Sequence, residues 1–188
     1  NDLVLLMKRA GLIRLSFGLE TVDEDMRKTM NKKIPLEAYS KSNAILNKHN
    51  IEALNSVMIG LPGETEENVW KTLNFLSKAR DVKQANFAIA TPYPGTKFHE
   101  MAISGEGGMK LVSDNFTEYK RYGQAVTKVN NLGPNDLVRL QNEGFVSIYI
   151  KHWRWWSVVK KHGIIGLILT FYRIIIMFKD KIKYNYSV

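Results

Sequence analysis

Three short apolar runs, each cut off by a turn rich in glycine or proline and separated from the next by a helical pattern, constrain this chain most. Ile13-Arg14-Leu15-Ser16-Phe17-Gly18-Leu19 alternates apolar and polar residues before its glycine. Ala53 to Leu61 is a short apolar run stopped by Pro62-Gly63, and Ala85 to Ala90 ends at Thr91-Pro92-Tyr93-Pro94-Gly95-Thr96. Such runs read as strands. Between them, Leu36 to His49 follows Pro35 and carries Leu36, Tyr39, Ile45 and Leu46 near helical spacing. Thr65 to Ala79 starts with Thr65 as an N-cap and Glu66 and Glu67 in the first turn, and sets Val69, Leu73 and Leu76 on one face. Strand, helix, strand, helix, strand predicts βαβ units and a parallel sheet. Ligands of such sheets lie beyond the carboxyl ends of the strands. All three predicted strands end in the unusual segments Gly18-Leu19-Glu20-Thr21, Gly60-Leu61-Pro62-Gly63-Glu64-Thr65 and Thr91 to Thr96, which places a candidate site there.

With 188 residues and 45% hydrophobic content, the chain is large enough for a real core and outside the range of disordered sequences. The opening run LVLLMKRAGL has the pattern of the middle of an amphipathic helix. With Asn1 in place of an initiating Met, the amino terminus reads as a boundary on a longer protein. It lacks the basic region and cleavage site of a signal peptide. There is no cysteine, so disulfides and thiolate chemistry are excluded within these residues, which fits a reducing cytoplasm. His49, His99, His152 and His162 are not at metal-ligand spacings. Past Thr96 the pattern loosens through Ser104-Gly105-Glu106-Gly107-Gly108, expected to be a flexible loop, and then returns to a helix from about Asn135 to Ile150. No internal repeat is visible.

Glu20 stands at the mouth of the first predicted strand, just past Gly18, where a missing side chain lets a ligand approach the backbone. A carboxylate there can accept two hydroxyls from one ribose; equally, it can simply complement the dipole of a helix starting near Val22. The Gly60 to Thr65 turn has two glycines and a proline between a buried strand and a capped helix, which suits a rigid loop with N–H groups aimed at the mouth. A plain strand-to-helix turn has the same composition.

Taken in order, GLETVDEDMRKTMNKK, MIGLPGET and TPYPGT resemble the second half of a radical S-adenosylmethionine domain. The resemblance spans residues 1 to about 100 and is greatest to radical enzymes with a cobalamin-binding domain, with methylthiotransferases as the alternative. It implies an α/β fold, the last three βα units of a (β/α)6, TIM-type barrel, followed by an α-helical extension over 101–150 and a tail over 151–188. By the same resemblance, Glu20 contacts the ribose of S-adenosylmethionine, Lys32 meets the cofactor's carboxylate, and Ser56 donates one hydrogen bond to the ribose. Gly60, Leu61 and Pro62 shape the wall beside the adenine, and Tyr93 with Pro94 the floor near its ring. Glu64 and Thr65 are structural. The family's CxxxCxxC loop, which holds the [4Fe-4S] cluster, and its glycine-rich segment for the methionine amino group have no counterpart in these residues. The resemblance therefore implies a fragment, inactive alone, of an enzyme that cleaves S-adenosylmethionine reductively for radical chemistry or cobalamin-dependent methyl transfer on a small or lipid-like substrate. The competing reading is a cluster-less, membrane-associated interaction module.

The net charge of +9 is concentrated at one end: residues 151–188 carry eight basic side chains and one acidic, Asp180. That segment, KHWRWWSVVKKHGIIGLILTFYRIIIMFKDKIKYNYSV, holds three tryptophans beside lysines and arginines, then a run from Gly163 to Phe178 broken only by Arg173. The run falls short of the ~20 apolar residues of a spanning helix. Two readings remain, an interfacial helix at the inner face of a membrane and a helix packed across the open barrel. No nucleic-acid partner is expected, since uninterrupted Ile/Leu runs are poor at solvating a phosphate backbone.

Overall fold

A computed structural model describes residues 2–149 and, beyond them, residues 159, 163–166, 168–169 and 172. Residues 1–148 form one compact unit and 149–188 a second. In the first, helix α1 (Asp2–Arg9) leads into strand β1 (Arg14–Glu20). Helices α2 (Glu24–Thr29) and α3 (Leu36–Lys48) precede β2 (Glu52–Ile59), and α4 (Glu66–Lys78) precedes β3 (Gln84–Ile89). The three strands form one parallel sheet in the order β1-β2-β3. The predicted strands and the two long predicted helices lie within two residues of these bounds. They were legible from the alternation in β1, from the short apolar run of β2 stopped by Pro62-Gly63, and from the helical spacing of Val69, Leu73 and Leu76 in α4. In the fold β2 buries Ala53, Asn55, Val57 and Ile59, and α4 buries Val69, Thr72, Leu73 and Leu76.

One face of the sheet is covered by helices. There Leu46 of α3 packs with Ile51 and Ala53, and Asn43 and Asn55 exchange side-chain hydrogen bonds of 3.0 and 2.9 Å, which satisfies two amides at full burial. The opposite face stays partly exposed. It carries the Arg14–Glu52 ion pair, and the hydroxyls of Ser16 and Ser56 lie 3.5 Å apart. Thr65 caps α4 as its sequence suggests: its Oγ1 accepts from the N–H of Asn68 while the Asn68 carboxamide accepts from the N–H of Thr65.

The expectation of a purely α-helical extension over 101–150 is corrected by the structure. Helix α5 (Lys97–Ser104) is followed by two short antiparallel strands, β4 (Met109–Leu111) and β5 (Thr127–Val129), with 3-10 turns at Glu106–Gly108 and Phe116–Glu118, before α6 (Pro134–Tyr149). Three-residue strands give too little alternation to read from sequence. The glycine segment expected to be a flexible loop is a built turn. Gly105 (φ 84°) ends α5, and the Gly107 carbonyl accepts from the N–H of Gly63 at 2.7 Å.

Helix α6 packs on β3. Gly144 sits where any Cβ would come within 2.7 Å of the buried Phe87 ring, and Phe145 meets that ring edge-on at 5.4 Å. Beside them Gln141, fully buried, donates to the carbonyls of Phe87 (2.6 Å) and Arg121 (2.8 Å) and accepts from the N–H of Gly123. The Ile89 N–H also donates to the Arg121 carbonyl. On the edge of β3 that faces away from β2, the Phe87 carbonyl and the Ile89 N–H are thereby satisfied by one glutamine and a short stretch of loop. In the second unit the described residues are helical. Among the described residues no helix is long and apolar enough to cross a membrane.

Candidate functional site

The carboxyl ends of β1, β2 and β3 bring Glu20, Gly60 and the loop after Ile89 to one side of the sheet. Glu20 holds the unusual geometry. Its φ is 63°, in the left-handed region that side chains disfavour, and the N–H of Thr21 reaches back over it to the carbonyl of Leu19 at 2.9 Å. This is a positive-φ γ-turn, rare and strained. The strand register also slips here: Gly18 pairs with Ser56 but Glu20 with Val57, so β1 bulges by one residue. Bulges of this kind re-aim a side chain at the end of a strand. The Glu20 carboxylate folds back over Gly18, where a Cβ would lie 2.5 Å from Oε1. Gly18 is the residue that makes this fold-back possible.

Lys32 joins this group from the loop after α2. Its Nζ donates to the Gly18 carbonyl at 2.5 Å and lies 3.7 Å from Oε1 of Glu20. The Tyr39 hydroxyl donates to the same carbonyl at 3.0 Å. Burial pushes the Glu20 carboxyl above its ordinary value, and the charge and hydrogen bond of Lys32 pull it part of the way back. Arg27, almost fully buried, holds the loop at both ends by donating to the carbonyls of Thr21 and Ile34, and its guanidinium lies over the Tyr39 ring, 5.7 Å from the centroid. Glu20 and Lys32 are thus brought together at the end of β1, while Ser56, paired in register with Gly18 on β2, has its hydroxyl 3.5 Å from that of Ser16.

The Gly60 to Thr65 loop is built differently from the sequence expectation. Its N–H groups do not form an open cradle. Those of Gly60 and Leu61 donate to Oε2 of Glu64 at 2.6 and 3.2 Å, that of Gly63 to Gly107, and that of Glu64 to Leu61. Glu64 is 1% exposed, and burial raises its carboxyl to about 7 against the opposing pull of the two N–H groups, with the charge of Asp23 adding to the rise. Its own carbonyl accepts from the Asn130 carboxamide at 3.0 Å. Glu64 is a staple inside the loop. Gly60 has a φ of 88° and sits 3.3 Å from Leu137 by the same Cβ measure, while Leu61 turns into a core cluster with Met26 and Ala90.

Tyr93 and Pro94 are exposed in the loop after β3. The Tyr93 ring lies 6.1 Å from that of Tyr119, and Tyr119 is stacked on the exposed Phe116 at 5.0 Å with a 13° tilt. The hydroxyl of Thr91 donates to the Lys120 carbonyl, which ties this aromatic group to the end of β3. Sequence reasoning missed it because the partners are some 25 residues apart; the closely spaced aromatics Phe116, Tyr119 and Tyr122 were the available signal. Among the described residues no group of His, Asp and Glu is placed to hold a metal ion, and with no cysteine the chain offers no thiolate to a cluster.

This arrangement of strand ends can be compared with known proteins. Residues 1–76 match the sequence profile of the Radical SAM superfamily. The matched stretch runs from α1 to Leu76 of α4 and so includes Glu20, Lys32, Ser56 and the whole Gly60 to Thr65 loop. The chain is 30% identical over 145 residues to an uncharacterized methyltransferase of Pyrococcus horikoshii, an alignment that takes in 77% of this chain and 30% of that protein. It is also 30% identical over 93 residues to the bacteriochlorophyllide d C-12(1)-methyltransferase of Chlorobaculum tepidum, covering 49% of this chain and 20% of that protein. The chain thus spans less than a third of either relative's length.

Proposed function

We propose that this chain is the cofactor-ribose side of a radical S-adenosylmethionine methyltransferase whose cluster-binding residues lie outside it. The observation that carries this reading is Glu20, held in a strained left-handed turn at the end of β1 and braced by Lys32 within the matched segment. Strain of this kind persists where the surroundings over-determine it, and it clusters at ligand sites. A half-buried carboxylate is a strong acceptor for a vicinal diol, so Glu20 takes the ribose hydroxyls. Lys32 and Ser56 complete the polar rim. Tyr93 and Pro94 form the adenine floor, and Gly60, Leu61 and Pro62 fix the adenine wall through their loop geometry.

The residues fit the nucleoside part of the cofactor; they do not fit the cluster, since there is no thiolate. When bound elsewhere in the whole protein, the [4Fe-4S] cluster supplies the electron that cleaves S-adenosylmethionine. This chain's part is to orient the nucleoside and to exclude water, and alone it does not cleave the cofactor. The methyltransferase names of the two relatives support methyl transfer, and we assign cobalamin as the methyl carrier, as the motif resemblance implies. The substrate is a small or lipid-like molecule.

The test is to express the full-length gene product, reconstitute it with iron and sulfide, and measure 5′-deoxyadenosine under reducing conditions. Glu20→Gln is expected to lower turnover mainly through a raised KM for S-adenosylmethionine. Absence of 5′-deoxyadenosine from the reconstituted wild type rejects the reading.

A further inference from the structure

In the second unit, residues 163–166, 168, 169 and 172 are helical, and their large apolar side chains are in water. Ile164 is 69% exposed, Ile165 74%, Ile168 60%, Leu169 53% and Tyr172 60%. Ile164, Ile168 and Tyr172 form one i, i+4 row, and Ile165 and Leu169 form the next. At 100° per residue the five fall within an arc of about 140°, the width of one face of an amphipathic helix. Five large side chains exposed side by side are an apolar patch of the kind that marks an interaction surface, unlike the scattered apolar residues of ordinary protein surface.

The charge around the patch indicates its occupant. Residues 151–188 hold eight basic side chains and one acidic one, with Lys160 and Lys161 just before the helical residues and Arg173, Lys179, Lys181 and Lys183 after them. An apolar helix face flanked in sequence on both sides by cations is complementary in chemistry to a surface with an anionic rim and an apolar interior. A bilayer containing anionic lipid has that chemistry; a neutral protein groove does not need the cations, and a second copy of this segment would bring like charges together. Trp153, Trp155 and Trp156, together with Tyr172, supply side chains of the type that sit at headgroup depth.

We infer that the face formed by Ile164, Ile165, Ile168, Leu169 and Tyr172 docks on an anionic membrane surface without crossing it. This is independent of S-adenosylmethionine chemistry, so the protein remains testable for one if the other fails.

The experiment uses the full 188-residue chain and extruded vesicles of phosphatidylcholine alone or with 30% phosphatidylserine. Sedimentation and the blue shift of tryptophan emission are followed at about 0.02 and about 0.5 M salt, a range over which the screening length falls severalfold. The expected result is binding to the anionic vesicles at low salt and weakening as salt rises. Ile168→Asp, which puts a charge in the centre of the face, is expected to weaken binding by at least about tenfold. Ile103→Asp, at an exposed apolar residue of α5, leaves it unchanged and controls for general stickiness. Failure of the wild type to sediment with anionic vesicles at low salt overturns the inference, as does equal loss in both variants. Gel filtration adds a further test: if Ile168→Asp turns a dimer into a monomer without changing vesicle binding, the face is a contact between copies and the inference is wrong.

Discussion

The Nζ of Lys32 is shared between the carboxylate of Glu20, at 3.7 Å, and the carbonyl of Gly18, at 2.5 Å. The lysine is therefore held by the strand end that it braces, and its charge opposes the rise that burial imposes on the Glu20 carboxyl. Lys32→Met is expected to raise the Glu20 carboxyl further and so leave a smaller fraction ionised as the pH falls. In the reconstituted full-length enzyme, the KM for S-adenosylmethionine should then rise more steeply on the acid side than in the wild type. A parallel, pH-independent loss in the variant would remove Glu20 as the group through which Lys32 acts.

Glu20→Gly should separate stability from function. The left-handed backbone at Glu20 costs a side-chain residue on the order of 1 kcal/mol that glycine does not incur. Chemical denaturation of this variant is expected to show unchanged or slightly higher stability, while cofactor binding is lost. Clear destabilisation would mean that the carboxylate serves the fold and not the site.

Gly18→Ala tests the same turn from the other side. The new methyl would lie 2.5 Å from Oε1 of Glu20 and 3.2 Å from Nζ of Lys32, both ends of flexible side chains. The chain is expected to keep its far-UV circular dichroism and lose less than about 1 kcal/mol, because those side chains swing away. Cofactor affinity is expected to fall about as far as in Glu20→Gln.

The pH dependence of folding should be governed in part by Glu64. Its carboxyl is raised from 4.5 to about 7 in the folded chain. For a raised carboxyl the contribution to stability is fully present below the unfolded value and is lost as the pH rises through the folded one. Stability is thus expected to decline between about pH 4.5 and 7, by roughly 3 kcal/mol from this group. Glu64→Gln should flatten that part of the profile, measured by urea denaturation at pH 5 and pH 8. An unchanged slope would show that Glu64 does not titrate in this range.

Gln141→Leu removes donors and an acceptor from three backbone groups, those of Phe87, Arg121 and Gly123. The expected loss is about 3 kcal/mol, since the orphaned groups lose their partners. Hydrogen exchange should quicken at Ile89, whose N–H donates to Arg121, and stay slow in β2. Uniform quickening would instead indicate global weakening.

The sheet was legible in the sequence because Leu15, Phe17 and Leu19 alternate with other residues, and because the apolar run Ala53 to Leu61 is short and stopped by Pro62-Gly63. Glu20 and Lys32 were reached through motif order, and the bulge and the positive φ that bring them together were not, since both depend on register against β2. The loop at Gly60 to Thr65 was legible as rigid, but the partner of its N–H groups was not. Glu64 reads as structural in the sequence, and only the fold shows that its carboxylate turns inward to accept from the N–H groups of Gly60 and Leu61. Gln141 was invisible for a related reason. In Leu140-Gln141-Asn142-Glu143 it looks like solvated helix surface, whereas α6 has polar groups to satisfy on the face it turns to β3.

That glutamine has a consequence for how such a chain can vary. A sheet edge finished by another strand fixes the length and pairing of whatever follows. Here the edge is finished by a carboxamide reaching out of α6 and by the Arg121 carbonyl, and the excursion from Thr91 to Gly133 packs a cluster of its own around Ala102, Met109 and Val129. New side chains at its exposed positions, such as Ile103, Val112 and Tyr122, would leave the three parallel strands untouched, so the surface of this stretch can change while the ends of the sheet stay as they are.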